Sequence, residues 1–212
     1  MKILIDNGHG ADNYTNGKYS PLVDGMSIES DATVYDHRFR EGNFNRLVAA
    51  ELVTRLRKLG LDADRIVTED RDVPLMARVE RVNSWCRRLG KDNVLFISVH
   101  ANAANDGNIW MKARGFSVWV AKQASMASHQ LALTFTSAAT VAGLMGNRSV
   151  PAEHYWKADF FVLKHTLCPA VLTENMFYDN KDDLLFIASP AGRSKIVELH
   201  VKSITNYLNS LK

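Results

Sequence analysis

Short apolar segments alternate along this chain with longer segments of helical periodicity. Lys2–Asp6, Val94–Val99 and Ala170–Thr173 are apolar runs of the kind that form buried strands. Hydrophobic residues recur at spacings of three and four over residues 41–59, and Gly60 then predicts the end of a helix. This alternation predicts an α/β fold: a single layered domain with a mostly parallel, twisted sheet flanked by helices on both faces.

The rest of the chain continues the pattern. Helices are predicted from Pro74 to Gly90, over residues 124–142 and 181–188, and from Pro190 to about Leu211. Further strands are predicted at Ala63–Thr68, Phe116–Val120 and Phe160–Leu163. Residues 11–40 are polar and lack periodicity, which is typical of a long functional loop.

Length and composition restrict the kind of site to expect. A chain of 212 residues with 46% hydrophobic residues can bury enough surface to fold without disulfides or a structural metal. A metal site in such a chain therefore indicates chemistry. Cys86 and Cys168 are too few for a disulfide framework, and we expect buried free thiols.

Charge and hydropathy exclude two classes of partner. The net charge of +3 is too small to indicate nucleic-acid binding. Apolar runs of 18 residues are absent, which argues against a transmembrane segment. The segment Met1–Asp6 does not resemble a signal peptide. We therefore expect that a leader has been removed, that the chain leaves the cell by another route, or that it stays inside.

Polar clusters stand at the carboxyl ends of three apolar runs: Asp6–Gly10, Ser98–Asn102 and Thr173–Asn175. Ligands of open α/β sheets bind at this edge. Two histidines and a glutamate form a common catalytic zinc site, so His9 and His100 are candidate ligands. From spacing alone either Glu41 or Glu174 could supply the carboxylate, leaving the other as a general base. The alternative is that each histidine is only a hydrogen-bonded polar residue at a strand end.

Five longer motifs resemble a known family. They are Ile3–Gly10, Glu41–Asn45, Thr68–Leu75 with Arg78 and Asn83, Phe96–Ala103, and Pro169–Asn180. In this order, and over essentially the whole chain, they resemble the zinc-dependent N-acetylmuramoyl-L-alanine amidases of the Amidase_3 family.

The resemblance implies a role for each site residue. His9, Glu41 and His100 would hold one Zn²⁺ per chain, and Glu174 would be the catalytic acid and base. The reaction would be hydrolysis of the amide between N-acetylmuramic acid and L-alanine of peptidoglycan. Asn102 and Asn175 are candidate substrate contacts, although both could instead fix their own turns.

The resemblance also implies a setting. We expect residues 1–212 to be a single catalytic domain, a monomer whose partner is peptidoglycan. It would degrade the bacterial cell wall, as an autolysin or endolysin does, in the periplasm or outside the cell. Regulated members carry a blocking helix between the second histidine and the next strand. The segment from His100 to Phe116 is too short for one, so we expect an open site.

Three other assignments compete with this one. A zinc exopeptidase would use a similar set of metal ligands. Such enzymes usually bind a terminal carboxylate with an arginine beside the metal, and no arginine adjoins the polar clusters in sequence. A peptidoglycan-binding or regulatory domain without catalysis is the non-enzyme alternative. His37, four residues before Glu41, is a possible replacement ligand.

Asp6 could orient a ligand histidine or cap the turn after it.

Overall fold

A six-stranded sheet lies at the centre of the molecule. The computed structural model describes residues 1–11, 15–28, 32–106 and 108–212. In chain order the strands of this sheet are β1 (Lys2–Asn7), β4 (Asp62–Arg65), β5 (Val94–Asn102), β6 (Ser117–Val120), β7 (Trp156–Lys157) and β8 (Ala170–Phe177). A separate hairpin is formed by β2 (Val34–Tyr35) and β3 (Arg38–Phe39).

The strand order in the sheet is β4-β1-β5-β8-β6-β7. The first four strands of this order run parallel to one another. Strand β6 is antiparallel to β8, and β7 is parallel to β6. The prediction of a mostly parallel sheet is confirmed, with a mixed edge on the β6 and β7 side.

Helices cover both faces of the sheet. They are α1 (Glu41–Lys58), α2 (Leu75–Leu89), α3 (Met126–Val141), α4 (Phe161–Lys164), α5 (Lys181–Ala188) and α6 (Pro190–Ser210). Helices α1, α3, α5 and α6 pack together on one face, while α2 and α4 lie on the other. The predicted layers of an α/β domain are therefore present.

Side chains of the central strands alternate between two cores. Ile3 and Ile97 belong to the core beneath α1 and α6, whereas Leu4, Phe96 and Leu172 belong to the core beneath α2 and α4. Because both faces are buried, these strands need apolar residues at every position. The same alternation places Ser98, His100 and Glu174 on the α2 side of the sheet, at its carboxyl edge.

One predicted element is wrong. Residues 160–163 do not form a strand: the backbone N–H groups of Leu163 and Lys164 both donate to the carbonyl of Phe160, the residue just before α4. A short apolar run fits a buried helical turn as well as a strand, and here the apolar residues pack onto the core beneath α2.

Two expectations from composition can be compared with the structure. Cys86 and Cys168 are buried free thiols, as predicted. Within the described ranges, no helix combines the length and hydropathy needed to cross a lipid bilayer.

Candidate active site

The turn after β1 presents His9. Its φ of 63° lies in the left-handed region, which costs a residue with a side chain about 1 kcal/mol or more. The carbonyl of His9 accepts hydrogen bonds from Nη1 of Arg46 at 2.7 Å and from Nη2 of Arg78 at 3.5 Å. These arginines belong to α1 and α2, so two helices hold the strained turn in place.

The imidazole of His9 is oriented by Thr15. Its Nδ1 lies 3.2 Å from the Thr15 hydroxyl, which itself donates to the carboxylate of Asp72. Because the hydroxyl proton is used in that bond, Thr15 accepts from the Nδ1–H of His9, and Nε2 keeps its lone pair. Burial lowers the pKa of His9 to about 4, so the ring is neutral at pH 7.

Glu41 is the first residue of α1, and its side chain is buried. Oε1 accepts from the backbone N–H of Ala101 at 3.2 Å and lies 3.0 Å from Nδ1 of His100. Oε2 is buried and has no hydrogen-bond partner among the described residues. Burial alone would raise the pKa of Glu41, but the electrostatic interactions with His9 and His100 and the hydrogen bond from His100 outweigh it and lower that pKa.

His100 lies on β5, and its ring packs against the backbone of Gly8. A Cβ atom at position 8 would be 2.0 Å from Cε1 of the ring, so only glycine leaves room for it. The rings of His9 and His100 meet edge to face, with centroids 5.0 Å apart. Burial would lower the pKa of His100, but the hydrogen bond with Glu41 raises it overall.

These three side chains form a compact donor set. One ligand atom from each of His9, Glu41 and His100 lies within 4.8 Å of the other two. Oε2 of Glu41 lacks a hydrogen bond within the described residues, although Nζ of Lys18 lies 4.0 Å from it, and two imidazoles with such a carboxylate are a donor set that suits catalytic zinc. The residues present therefore fit a divalent metal such as zinc.

Glu174 faces this cluster from β8, directly opposite His100 in the parallel register. Its Oε2 is buried without a hydrogen-bond partner among the described residues. Burial raises the pKa of Glu174 to about 7, against the opposing charge of His100 and with a further contribution from Glu41. A carboxyl group with this pKa exchanges protons readily near neutral pH.

Asp6 does not contact either imidazole. Its carboxylate accepts from Nη1 of Arg78 at 2.6 Å and from the hydroxyl of Ser98 at 2.7 Å. The orienting role suggested for Asp6 therefore belongs to Thr15, which sequence reasoning missed. A threonine in a long polar loop carries no local signal for such a role.

The two candidate substrate contacts, Asn102 and Asn175, bond within the protein. Oδ1 of Asn102 accepts from the backbone N–H of Ala103 at 2.9 Å. Asn175 is fully buried, and its Nδ2 donates to the carbonyl of His100 at 2.8 Å. Asn102 thus fixes its own turn and Asn175 holds the backbone of His100, while their contact with substrate stays a prediction.

The other histidines lie outside the cluster. His37 is exposed and lies 2.7 Å from a carboxylate oxygen of Asp24, so it is not a replacement ligand in this arrangement. His129 stacks on Tyr155. His200 is fully buried and lies 2.9 Å from the hydroxyl of Thr173.

A cavity of about 470 Å³ adjoins the cluster on the α2 side. His9 and His100 form part of its wall, and Asp72 and Thr15 line one end. The remaining wall is mostly apolar and comes from the start of α2, from α4 and from β8: Val73, Pro74, Leu75, Phe160, Phe161, Val162 and Leu172.

Arg148 also comes near the site, although it is distant in sequence from all three polar clusters. Its charge and that of Glu174 each shift the pKa of the other. The sequence argument against an exopeptidase, that no arginine adjoins the clusters, therefore does not hold in three dimensions. The fold brings this guanidinium to the site from the connection between α3 and β7.

Comparison with known proteins identifies the family. Residues 3–206 match the profile of the Amidase_3 family, described as N-acetylmuramoyl-L-alanine amidase. Over 120 residues the chain is 32% identical to an endolysin of Bacillus phage SPP1, in an alignment that covers 56% of the chain and 41% of that endolysin. The match thus spans less than half the length of this relative.

Solved structures with the same fold agree with this match. The N-acetylmuramyl-L-alanine amidase Ami1 from Mycobacterium smegmatis superposes with a TM-score of 0.78 at 21% identity, covering 99% of this chain and 97% of that one. The catalytic domain of the CD27L endolysin, which targets Clostridia difficile, superposes with a TM-score of 0.62 at 26% identity, covering 97% of each chain. The chain belongs to the Amidase_3 family of N-acetylmuramoyl-L-alanine amidases.

Proposed function

We propose that residues 1–212 form one catalytic domain that hydrolyses the amide between N-acetylmuramic acid and L-alanine in peptidoglycan, with one zinc ion per chain. The observation that carries this proposal is the pairing of a three-residue donor set with a buried acid. His9, Glu41 and His100 converge within 4.8 Å, and Glu174 faces them with a pKa of about 7. Family membership supports the same reaction.

His9, Glu41 and His100 would hold the zinc. When bound, zinc supplies a Lewis acid that polarises a carbonyl group and acidifies water. The tautomer of His9 is already set by Thr15, which leaves Nε2 available. The buried Oε2 of Glu41 has Nζ of Lys18 4.0 Å away but lacks a hydrogen bond in the described part of the chain, and the metal would supply a direct partner.

Glu174 is the residue suited to proton transfer. In its ionised form it accepts a proton from the attacking water, and in its protonated form it donates that proton to the departing amine nitrogen. Burial raises the pKa of Glu174 in the metal-free protein, which makes its carboxylate a stronger base. The same side chain therefore serves as base and then as acid.

The entrance to the site is open on the α2 side. The described residues between β5 and β6 form no helix, and a site without a blocking segment is part of the proposal. The cavity beside His9 and His100 is large enough, at about 470 Å³, to receive part of a sugar-peptide substrate. The proposed setting is the bacterial cell wall, as for autolysins and endolysins.

Digestion of purified peptidoglycan tests this function. Wild-type protein loaded with zinc is expected to release new amino groups from L-alanine without releasing reducing sugars, and a chelator should stop the reaction. Glu174→Gln keeps the shape but cannot accept a proton, so kcat should fall by at least 100-fold with little change in zinc affinity. Equal and negligible activity of the wild type and Glu174→Gln would favour a binding domain without catalysis.

Peptide substrates separate the amidase from an exopeptidase. Arg148 near Glu174 is the observation that keeps the exopeptidase under consideration, because such enzymes anchor a terminal carboxylate. Free peptides lacking N-acetylmuramic acid should not be hydrolysed by the amidase. Sequential release of single amino acids from such peptides would instead identify an exopeptidase.

A further inference from the structure

Arg148 lies between two aromatic rings on the far side of Glu174 from the histidines. Its Cζ is 4.7 Å from the centroid of the Trp156 ring and 4.9 Å from that of Phe177. Trp156 is in β7 and Phe177 ends β8, whereas His9 follows β1 and His100 lies on β5. In the strand order of the sheet, Arg148 and the donor set therefore flank Glu174 from opposite sides.

The guanidinium of Arg148 has unused hydrogen-bond donors. Nε and Nη2 are buried, and neither has a partner among the residues that the structure describes. Burial lowers the pKa of Arg148, while the charges of Glu174 and Asp183 raise it. Arg78 in α2 is different, because its guanidinium bonds to two carboxylates and to backbone carbonyls. An unsatisfied buried donor is costly, so an acceptor that reached Nε and Nη2 of Arg148 would remove that cost.

The rings that hold Arg148 extend into an aromatic surface. Trp119 packs against Trp156 with ring centroids 5.9 Å apart and against Phe160 with centroids 5.5 Å apart. Phe160 in turn lines the cavity beside the histidines. An apolar path thus connects that cavity with the guanidinium.

The direction of the substrate follows from the position of Glu174. If Glu174 protonates the departing amine, the chain attached to that amine leaves on the β6 and β7 side. That chain is the stem peptide, which carries carboxylates within one or two residues of the scissile bond. Guanidinium groups bind carboxylates in paired, charge-assisted hydrogen bonds.

We propose, on the basis of the function proposed above, that Arg148 binds a carboxylate of the stem peptide and so fixes the peptide on the β7 side of Glu174. The glycan then lies on the opposite side, toward the cavity next to His9. Arg148 is thus the residue that selects an acidic stem peptide over one whose carboxylate is amidated.

Three defined disaccharide-peptides test this assignment. One carries every carboxylate free, one is amidated at the second residue of the peptide, and one is amidated at the third. For wild type and Arg148→Met, kcat/KM is measured on each with zinc-loaded protein. Dissociation constants for the same compounds are measured by calorimetry in the Glu174→Gln background, with and without Arg148→Met.

Arg148→Met should lower kcat/KM on the fully acidic substrate by about 10- to 100-fold and weaken its binding by a similar factor, the usual effect of a hydrogen bond between charged groups. On one of the two amidated substrates, Arg148→Met and the wild type should have equal kcat/KM values and equal dissociation constants. Arg148→Lys should restore part of the preference. The matched control is Arg88→Met. Arg88 also covers a ring, that of Trp85, with its Cζ 4.5 Å from the centroid, but it lies at the end of α2 that is away from the cavity. This variant should keep the kcat/KM of the wild type on all three substrates.

Two outcomes would overturn the assignment. A loss of the same size on all three substrates would show that Arg148 only supports the fold, and unchanged dissociation constants would show that it binds no carboxylate. If the wild type releases no amine from all three substrates, the proposed amidase function is rejected instead. In that case the binding measurements still decide the role of Arg148.

Discussion

Replacement of Gly8 by alanine tests how tightly the turn after β1 fixes the second histidine. The new Cβ would lie 2.0 Å from Cε1 and 2.4 Å from Nε2 of His100, whereas ordinary contacts begin at 3.4 Å. The ring must therefore move by about 1.4 Å to restore a normal contact with this Cβ. Ligand atoms of a metal site are held to within about 0.2 Å of their ideal distances, so the displaced ring would no longer be a ligand.

We expect zinc affinity to fall by at least 100-fold, since even the loss of a supporting hydrogen bond to a ligand costs about 10- to 100-fold. Affinity is measured by competition with a chromophoric chelator, and folding is checked by circular dichroism and thermal melting. Gly60→Ala is the control. Position 60 has open space around its Cβ and a φ of 77°, so this variant should lose about 1 kcal/mol of stability and no zinc affinity.

A folded Gly8→Ala protein with unchanged zinc affinity would refute this reasoning. It would mean either that His100 is not a ligand or that its ring has another position that serves equally well. A protein that is unfolded in the absence of zinc but recovers with it would point to strain in the turn rather than to loss of a ligand.

Two further predictions concern side chains around the site. Thr15→Val removes the acceptor for the Nδ1–H of His9 and should weaken zinc binding by about 10- to 100-fold. The control Thr54→Val, on the exposed side of α1, should leave zinc affinity unchanged. Equal zinc affinities of Thr15→Val and wild type would contradict the orienting role of Thr15. Burial lowers the pKa of His200 to about 4, so below pH 6.5 the unfolded chain binds a proton that the folded chain does not. Between pH 7 and pH 5 this should remove about 2 kcal/mol of stability, so the loss measured by urea unfolding of metal-free protein should be about 2 kcal/mol smaller in His200→Gln than in wild type. The exposed His37→Gln variant should keep the full dependence, and identical pH profiles for all three proteins would contradict the assignment to His200.

Local sequence patterns predicted the elements that position the donor set. The strand before His9 and the strand that carries His100 are nearly continuous apolar runs, and the helix that begins at Glu41 has a spacing of three and four, so each is visible within one segment. Their side chains meet because parallel strands end at the same edge of a sheet. The strand predicted at residues 160–163 was wrong, because four apolar residues are too few to distinguish a strand from a turn of helix.

The parts that sequence reasoning missed depend on contacts between distant segments. Thr15 acts on His9 only because Asp72 takes its proton, and these residues come from different loops. Arg148 reaches Glu174 only because β6 pairs antiparallel with β8 and brings the mixed edge of the sheet alongside the site. Polar residues in irregular segments have no periodic signal, so their partners emerge only from the folded chain.

The bonds that hold the turn after β1 have a consequence for engineering this enzyme. Arg46 and Arg78 join the carbonyl of His9 to α1 and α2, and Arg78 is itself a buried member of an ion pair with Asp6. Removing one partner of a buried ion pair costs about 3–5 kcal/mol. Changes around the turn after β1 therefore put folding and the donor set at risk together. The β7 side offers more freedom, because the contacts of Arg148 among the described residues are with the rings of Trp156 and Phe177, and libraries that aim to change the ligand preference of this protein belong there.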